Sequence, residues 1–277
     1  MKSTLIKKAS GEMVPFSLEK LHNSLRRSGA STETINKISR EIKKNIYEGI
    51  TTKNIYQNAF GMLKNISKPS AAKYKLKQAI MELGPSGFPF EKYFSEILKN
   101  QGYHTIVGEI VKGRCVNHEI DVIATKDENY FLIECKYHNM SGINCDVKIP
   151  LYIHSRFKDV EQQWLHLPDH KNKFHQGWVV TNTKFTSDAI LYGTCVGLNL
   201  LGWDYPKNAG LREQIDQSGL YPLTCLVSLT AGEKQVLLNN KIVLSKEIIN
   251  NPELLSLAHI SINRRKLILN EVNSLLN

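Results

Sequence analysis

Asp121, Glu134 and Lys136 are the residues of this chain whose types and spacing could do chemistry. They lie in the stretch from His118 to His138, where the apolar runs Ile120 to Ala124 and Tyr130 to Ile133 flank Lys126-Asp127-Glu128-Asn129. Two apolar runs joined by a short polar turn predict a β-hairpin. Strand side chains alternate faces, so Glu134 and Lys136 share one face while Ile133 and Cys135 point the other way. Asp121 on the partner strand can then approach Glu134. Charges gathered beside a core are costly unless they are paired or bind something. Carboxylate oxygens suit Mg²⁺ or Mn²⁺, and a divalent ion with an ammonium group can stabilise charge on a phosphate attacked by water.

The elements that position these groups extend on either side. Phe90, Tyr93, Phe94, Ile97 and Leu98 recur at helical spacing, so a helix precedes the hairpin and ends near Gly102. Downstream, Gln176 to Thr181 reads as a buried strand, Ser187 to Val196 as a helix and Leu198 to Trp203 as a last strand. Strands alternating with helices predict an α/β fold with a mixed sheet flanked by helices. Between them Leu151 to Lys158 mixes aromatics with His154, Arg156 and Lys158, a surface suited to a DNA backbone. Either His154 or Arg156 could meet a phosphate there, and a packed helix with solvated tips fits the same pattern.

Asp121 followed by Glu134-Cys135-Lys136 resembles the Asp and Glu-x-Lys of the PD-D/E-x-K nucleases, in particular the Mrr-like restriction endonucleases. Gly87-Phe88-Pro89-Phe90-Glu91 resembles the start of that family's first helix, whose acid completes the metal site. The resemblance spans about residues 86 to 207. It implies a restriction-endonuclease-like fold, Asp121, Glu134 and Glu91 as metal ligands, and Lys136 as the group that positions or activates water. A second metal reading is also present. Cys115-Val116-Asn117-His118 and Cys135-Lys136-Tyr137-His138 are two Cys-x-x-His pairs of a kind found at zinc. The differing strand parity of residues 135 and 138 disfavours it.

Charge separates the N-terminal third from the rest. Residues 1–85 hold 16 Lys and Arg against 6 Asp and Glu, whereas residues 86–277 hold 20 against 20. The whole excess of +10 therefore sits in the first third, which is expected to meet phosphate, either of a nucleotide or of nucleic acid. Thr4 to Lys8 and Met13 to Phe16 read as strands around Ala9-Ser10-Gly11-Glu12, and about four amphipathic helices follow. Ser31 and Thr51 are good helix caps, and Gly29, Gly49 and Gly84 good stops.

That order, with Lys7-Lys8-Ala9-Ser10-Gly11, Phe16 to Leu21, Gly49 to Ile55 and Ala71 to Tyr74, resembles the ATP-cone of ribonucleotide reductases and of the repressor of their genes. It implies ATP or dATP as a regulatory ligand, held by Lys8, Ser17, Lys20 and Thr52. Ala9 stands where the reductases carry an arginine, one phosphate donor fewer. No Walker loop occurs, so the expectation is sensing rather than P-loop hydrolysis.

Leu83-Gly84-Pro85-Ser86-Gly87-Phe88-Pro89 cannot continue a helix and marks a boundary. The expected domains are thus 1–84, 85–208 and a helical tail over 209–277. The tail resembles a helix-hairpin-helix DNA-binding unit, with Arg264, Arg265 and Lys266 opening its last helix and His259 to Asn263 in place of the usual glycines. A dimerisation bundle fits the tail equally, which leaves a homodimer open. Five scattered cysteines make no disulfide framework, and neither a signal-peptide pattern nor a long apolar run is present, so a cytoplasmic protein without membrane contact is expected. The functional expectation is an Mg²⁺-dependent DNA endonuclease under nucleotide control. A non-cleaving, nucleotide-responsive DNA-binding regulator and a junction resolvase are the alternatives.

Overall fold

The computed structural model describes residues 4–168, 170, 173 and 175–276. In chain order, β1 (Leu5–Lys7) and β2 (Met13–Pro15) are followed by α1 (Leu18–Arg27), α2 (Thr32–Asn45), α3 (Thr52–Ile66), α4 (Lys68–Tyr74) and α5 (Leu76–Met81). Then come α6 (Phe88–Asn100), β3 (His104–Lys112), β4 (Asn117–Lys126), β5 (Asn129–Lys136), β6 (Asn144–Cys145), α7 (Lys148–Trp164), β7 (His175–Thr181) and β8 (Lys184–Phe185). The chain continues through α8 (Ser187–Cys195), β9 (Asn199–Leu201), α9 (Leu211–Ser218), α10 (Ala231–Asn239), α11 (Ser245–Asn250) and α12 (Ile262–Leu276). Two compact units result. One joins the residues up to Ile80 with those from Tyr221 onward, and the other is Met81–Leu220.

In the first unit β1 and β2 pair antiparallel, and Lys7 N–H donates to Ile50 O at 3.0 Å, tying the hairpin to the start of α3. Ser17, Ser31, Thr51 and Ser67 cap α1 to α4, each hydroxyl accepting a backbone N–H three residues on. Such caps satisfy donors that have no partner inside the helix. Leu25, Ile38, Ile42, Ala59 and Leu63 form the core of this segment. The last helical stretch of this segment is divided at Lys75 into α4 and α5.

The C-terminal helices pack in the same unit rather than standing alone. α12 lies against α4, and Thr224 Oγ1 donates to Ala79 O at 2.6 Å. Helices this short cannot bury an apolar stripe by themselves, so they add to an existing core. The division therefore falls at Tyr221 instead of residue 209, and α9 belongs to the second unit.

The second unit is built on a five-stranded mixed sheet of order β3-β4-β5-β7-β9. β3, β4 and β5 are antiparallel neighbours. Asp127 and Glu128, both at positive φ (49° and 65°), make the two-residue turn between β4 and β5. That backbone twist matches the twist of paired strands. β5, β7 and β9 run parallel, which requires crossovers, supplied by α7 and α8. The stripe Phe90, Tyr93, Phe94, Ile97 and Leu98 of α6 is fully buried, as its spacing predicts. α7 buries Phe157, Val160 and Trp164 against Ile120, Ile123 and Leu132. The mixed sheet with flanking helices agrees with the sequence reading. Among the described residues no helix is long and apolar enough to cross a membrane.

Candidate active site

The site forms where β4 and β5 separate. Their paired register ends at Val122 and Ile133, and Asp121 Oδ2 then accepts the Cys135 N–H at 2.7 Å. A carboxylate thus replaces a ladder acceptor, which holds Asp121 beside Glu134. Glu134 is buried, and both its oxygens are engaged: Lys136 Nζ lies 2.5 Å from Oε1 and Arg156 Nη1 lies 2.7 Å from Oε2. Arg156, on α7, also donates through Nη2 to the Glu119 carbonyl, and its guanidinium stands 5.3 Å from the centre of the Tyr152 ring. The far end of β5 is fixed by Thr181 Oγ1, which donates to Lys136 O at 2.7 Å. Asn182 completes it, accepting from His138 N and donating to His138 O.

Glu91 joins from the first turn of α6. A Cβ on Gly87 would stand 3.0 Å from Glu91 Oε1, so the glycine leaves that carboxylate room to lie over the helix start. The Glu91 carboxyl is pushed up to about 7, first by burial and then by Asp121, Glu134 and Glu119, while Lys136 draws it down. Asp121 is pushed up to about 6 by burial and then by Glu134, against the Cys135 N–H, Lys136 and Arg156. Three acids therefore share a site with too little positive charge to neutralise them. An open cleft lined by His118, Glu119, Tyr152 and Arg156 presents Asp121 and Glu134 to solvent.

The four predicted catalytic residues Glu91, Asp121, Glu134 and Lys136 are thus brought into electrostatic contact, and Arg156 with them. His154 is not. Its Nδ1 lies 2.9 Å from the Tyr192 hydroxyl. The three-carboxylate cradle is not preformed either: among the described residues no three His, Cys, Asp or Glu side chains stand ready to close on one metal ion. The donor chemistry still fits Mg²⁺, which takes one or two carboxylates and keeps several waters. A divalent ion would also supply the positive charge the acids lack.

The zinc arrangement is not assembled. Cys135 is buried, with its thiol pushed well up by burial, while Cys115 is exposed. His118 Nε2 lies 2.8 Å from Asp159 Oδ2, and Asp159 Oδ1 accepts the Cys115 N–H at 2.9 Å. The sequence reading did not find Asp159. Its spacing of three from Arg156 on one helix was the available signal, since such residues share a face.

The other predicted contacts are scattered. Lys8 pairs with Glu12 at 2.8 Å, Ser17 accepts the Lys20 N–H as the cap of α1, the Lys20 side chain is exposed, and Thr52 is half-buried at the start of α3. Arg264 forms a two-pronged pair with Glu233 and donates to Ser228 O at 2.8 Å. Arg265 binds Ile260 O and Glu253. Two of the three cations read as DNA contacts are therefore held within their own unit, and Lys266 is exposed.

The domain that carries this site has known relatives. Residues 84–201 match the restriction endonuclease family (Mrr catalytic domain), and residues 221–276 match the AF1548-like C-terminal family. An uncharacterized protein of Archaeoglobus fulgidus is 40% identical over 132 residues, 48% of this chain and 70% of that protein. The crystal structure of AF1548, a protein of unknown function, superposes with a TM-score of 0.57 at 30% identity, covering 69% of this chain and 98% of that one. Can2 from Sulfobacillus thermosulfidooxidans, solved with cyclic tetra-adenylate, superposes at a TM-score of 0.35 and 14% identity over 75% of this chain and 64% of that one.

Proposed function

Because the chain belongs to the AF1548-like family and carries a restriction endonuclease domain, we propose that it is a metal-dependent endonuclease hydrolysing DNA phosphodiesters under the control of a bound nucleotide. The observation that carries the reading is the gathering of Asp121 and Glu134, with Lys136 and Arg156 on Glu134, where β4 and β5 separate beside an open cleft. Asp121 and Glu134, with Glu91, would hold Mg²⁺ or Mn²⁺. When bound, that ion supplies Lewis-acid stabilisation of a phosphate and lowers the cost of deprotonating water.

The chain's own residues do the rest. Lys136, anchored on Glu134, orients the attacking water and offsets negative charge as phosphorus becomes five-coordinate. Arg156 lies at the cleft with a planar fork that matches two phosphate oxygens. The water oxygen gives up a proton to solvent and bonds to phosphorus in line with the sugar oxygen, whose bond to phosphorus breaks and which takes up a proton from solvent. His154 and Lys266 are assigned to the DNA backbone outside the cleft.

In the N-terminal segment Lys8, Ser17, Lys20 and Thr52 are assigned to ATP or dATP. Supporting this, all ten units of net positive charge lie in residues 1–85, and the hairpin is tied to the start of α3. Plasmid nicking with Mg²⁺, with and without ATP or dATP, tests the proposal on the native chain and on Lys136→Ala. The expected result is loss of cleavage by about two to four orders of magnitude in the folded variant, the range typical of a positioned proton-handling group. Equal cutting by both would reject it.

A further inference from the structure

Arg156 is placed to do more than receive a phosphate. Both oxygens of Glu134 are already taken by cations, Oε1 by Lys136 at 2.5 Å and Oε2 by Arg156 at 2.7 Å. The two partners of the Arg156 pair are nearly buried, with side chains 12% and 9% exposed, so water competes weakly for either. A second prong to the Glu119 carbonyl and the Tyr152 ring beside the guanidinium hold the fork in this setting. A metal ion that uses Glu134 must compete with these cations for its oxygens. A DNA phosphate entering the same cleft offers Arg156 another anion with two oxygens.

We infer that Arg156 is a positioning residue that locks Glu134 until DNA arrives, so that metal and DNA bind cooperatively. The inference rests on the nuclease reading above and deepens it. When phosphate draws the guanidinium away, Oε2 of Glu134 is released for the ion. When no DNA is present, the arginine occupies the place of the metal's charge. Linkage then makes the effect reciprocal, since whatever tightens the metal through DNA tightens DNA through the metal by the same factor. The consequence for the enzyme is a low population of metal-loaded protein away from its substrate.

Calorimetric titration of Ca²⁺, an oxygen-seeking ion of the same charge, into the full chain with and without a short DNA duplex tests this. For the native chain the duplex is expected to tighten Ca²⁺ by about 5- to 150-fold, the usual span of such couplings. Arg156→Ala is expected to bind Ca²⁺ more tightly than the native chain when DNA is absent, and to gain much less from DNA. Damage to the fold would weaken binding, so a gain is diagnostic.

Arg156→Lys keeps the charge and loses the fork. It too is expected to bind Ca²⁺ more tightly than the native chain without DNA. A Lys variant that matches the native affinity while only the Ala variant rises would assign the effect to net charge and overturn the lock. Unchanged DNA-free affinity in both variants would overturn it while leaving the metal site standing. A native chain that binds no Ca²⁺ in either condition would overturn the lock and the metal-dependent reading together.

Discussion

Replacing Gly113 by alanine should damage the site from a distance, and the size of the effect follows from the contacts around it. Gly113 is buried in the connection between β3 and β4. A Cβ there would stand 2.1 Å from Asp159 Oδ2 and 2.7 Å from Val116 O. Both distances are well inside the closest approach of real atoms, and the second obstacle is backbone, which cannot swing aside. Overpacking of this kind costs about 1–3 kcal/mol. The alanine restricts the unfolded chain and returns about 0.4–1 kcal/mol, so the net loss should be near 1–2 kcal/mol.

The displaced carboxylate is the one that accepts Cys115 N–H and Val116 N–H and meets His118, and it sits three residues from Arg156 on α7. Stability should therefore fall together with cleavage, the latter through loss of alignment between α7 and β4. Urea unfolding and plasmid nicking on the same preparation measure the two. A Gly113→Ala protein at least as stable as the native one and cutting equally fast would show that the connection has room the geometry denies it.

Other outcomes follow from the same interactions. In metal-free protein Asp121→Asn should raise stability at pH 8 by about 1–2 kcal/mol, after discounting the shift from 3.8 to about 6 for partial exposure, and should leave it unchanged near pH 4. The sign is that of an acid with a raised folded pKa: protonation stabilises fully below 3.8, and that stability is lost as pH rises through about 6. Denaturant midpoints across this range decide it, and a variant less stable at pH 8 would mark Asp121 as a structural acceptor. Arg264→Ala should lower thermal stability, because the Glu233 pair is lost, with little change in the salt dependence of DNA binding. Lys266→Ala should do the reverse, reducing the salt slope by about one if it meets a phosphate.

The sequence by itself determined the hairpin, its turn and the α6 stripe, because these rest on local period and turn chemistry. Ile120 to Ile133 alternates around Asp127-Glu128, and Phe90 to Leu98 recurs at helical spacing. It also determined that Asp121, Glu134 and Lys136 share a strand pair, since parity fixes which side chains can meet. What only the tertiary structure decided was set by contacts between residues far apart in the chain.

Arg156 reaches Glu134 because α7 crosses from β5 to β7, and nothing in Leu151 to Lys158 distinguishes it from His154, which turns to Tyr192 instead. Arg264 and Arg265 read as free cations until Glu233 and Glu253 are brought to them by the packing of the C-terminal helices. The division at Tyr221 was hidden for the same reason: short helices declare their apolar residues locally, but the core that receives them lies in part among the residues up to Ile80. Periodicity specifies an element and its faces, whereas the partner of a long charged side chain depends on loop closures that no local pattern encodes.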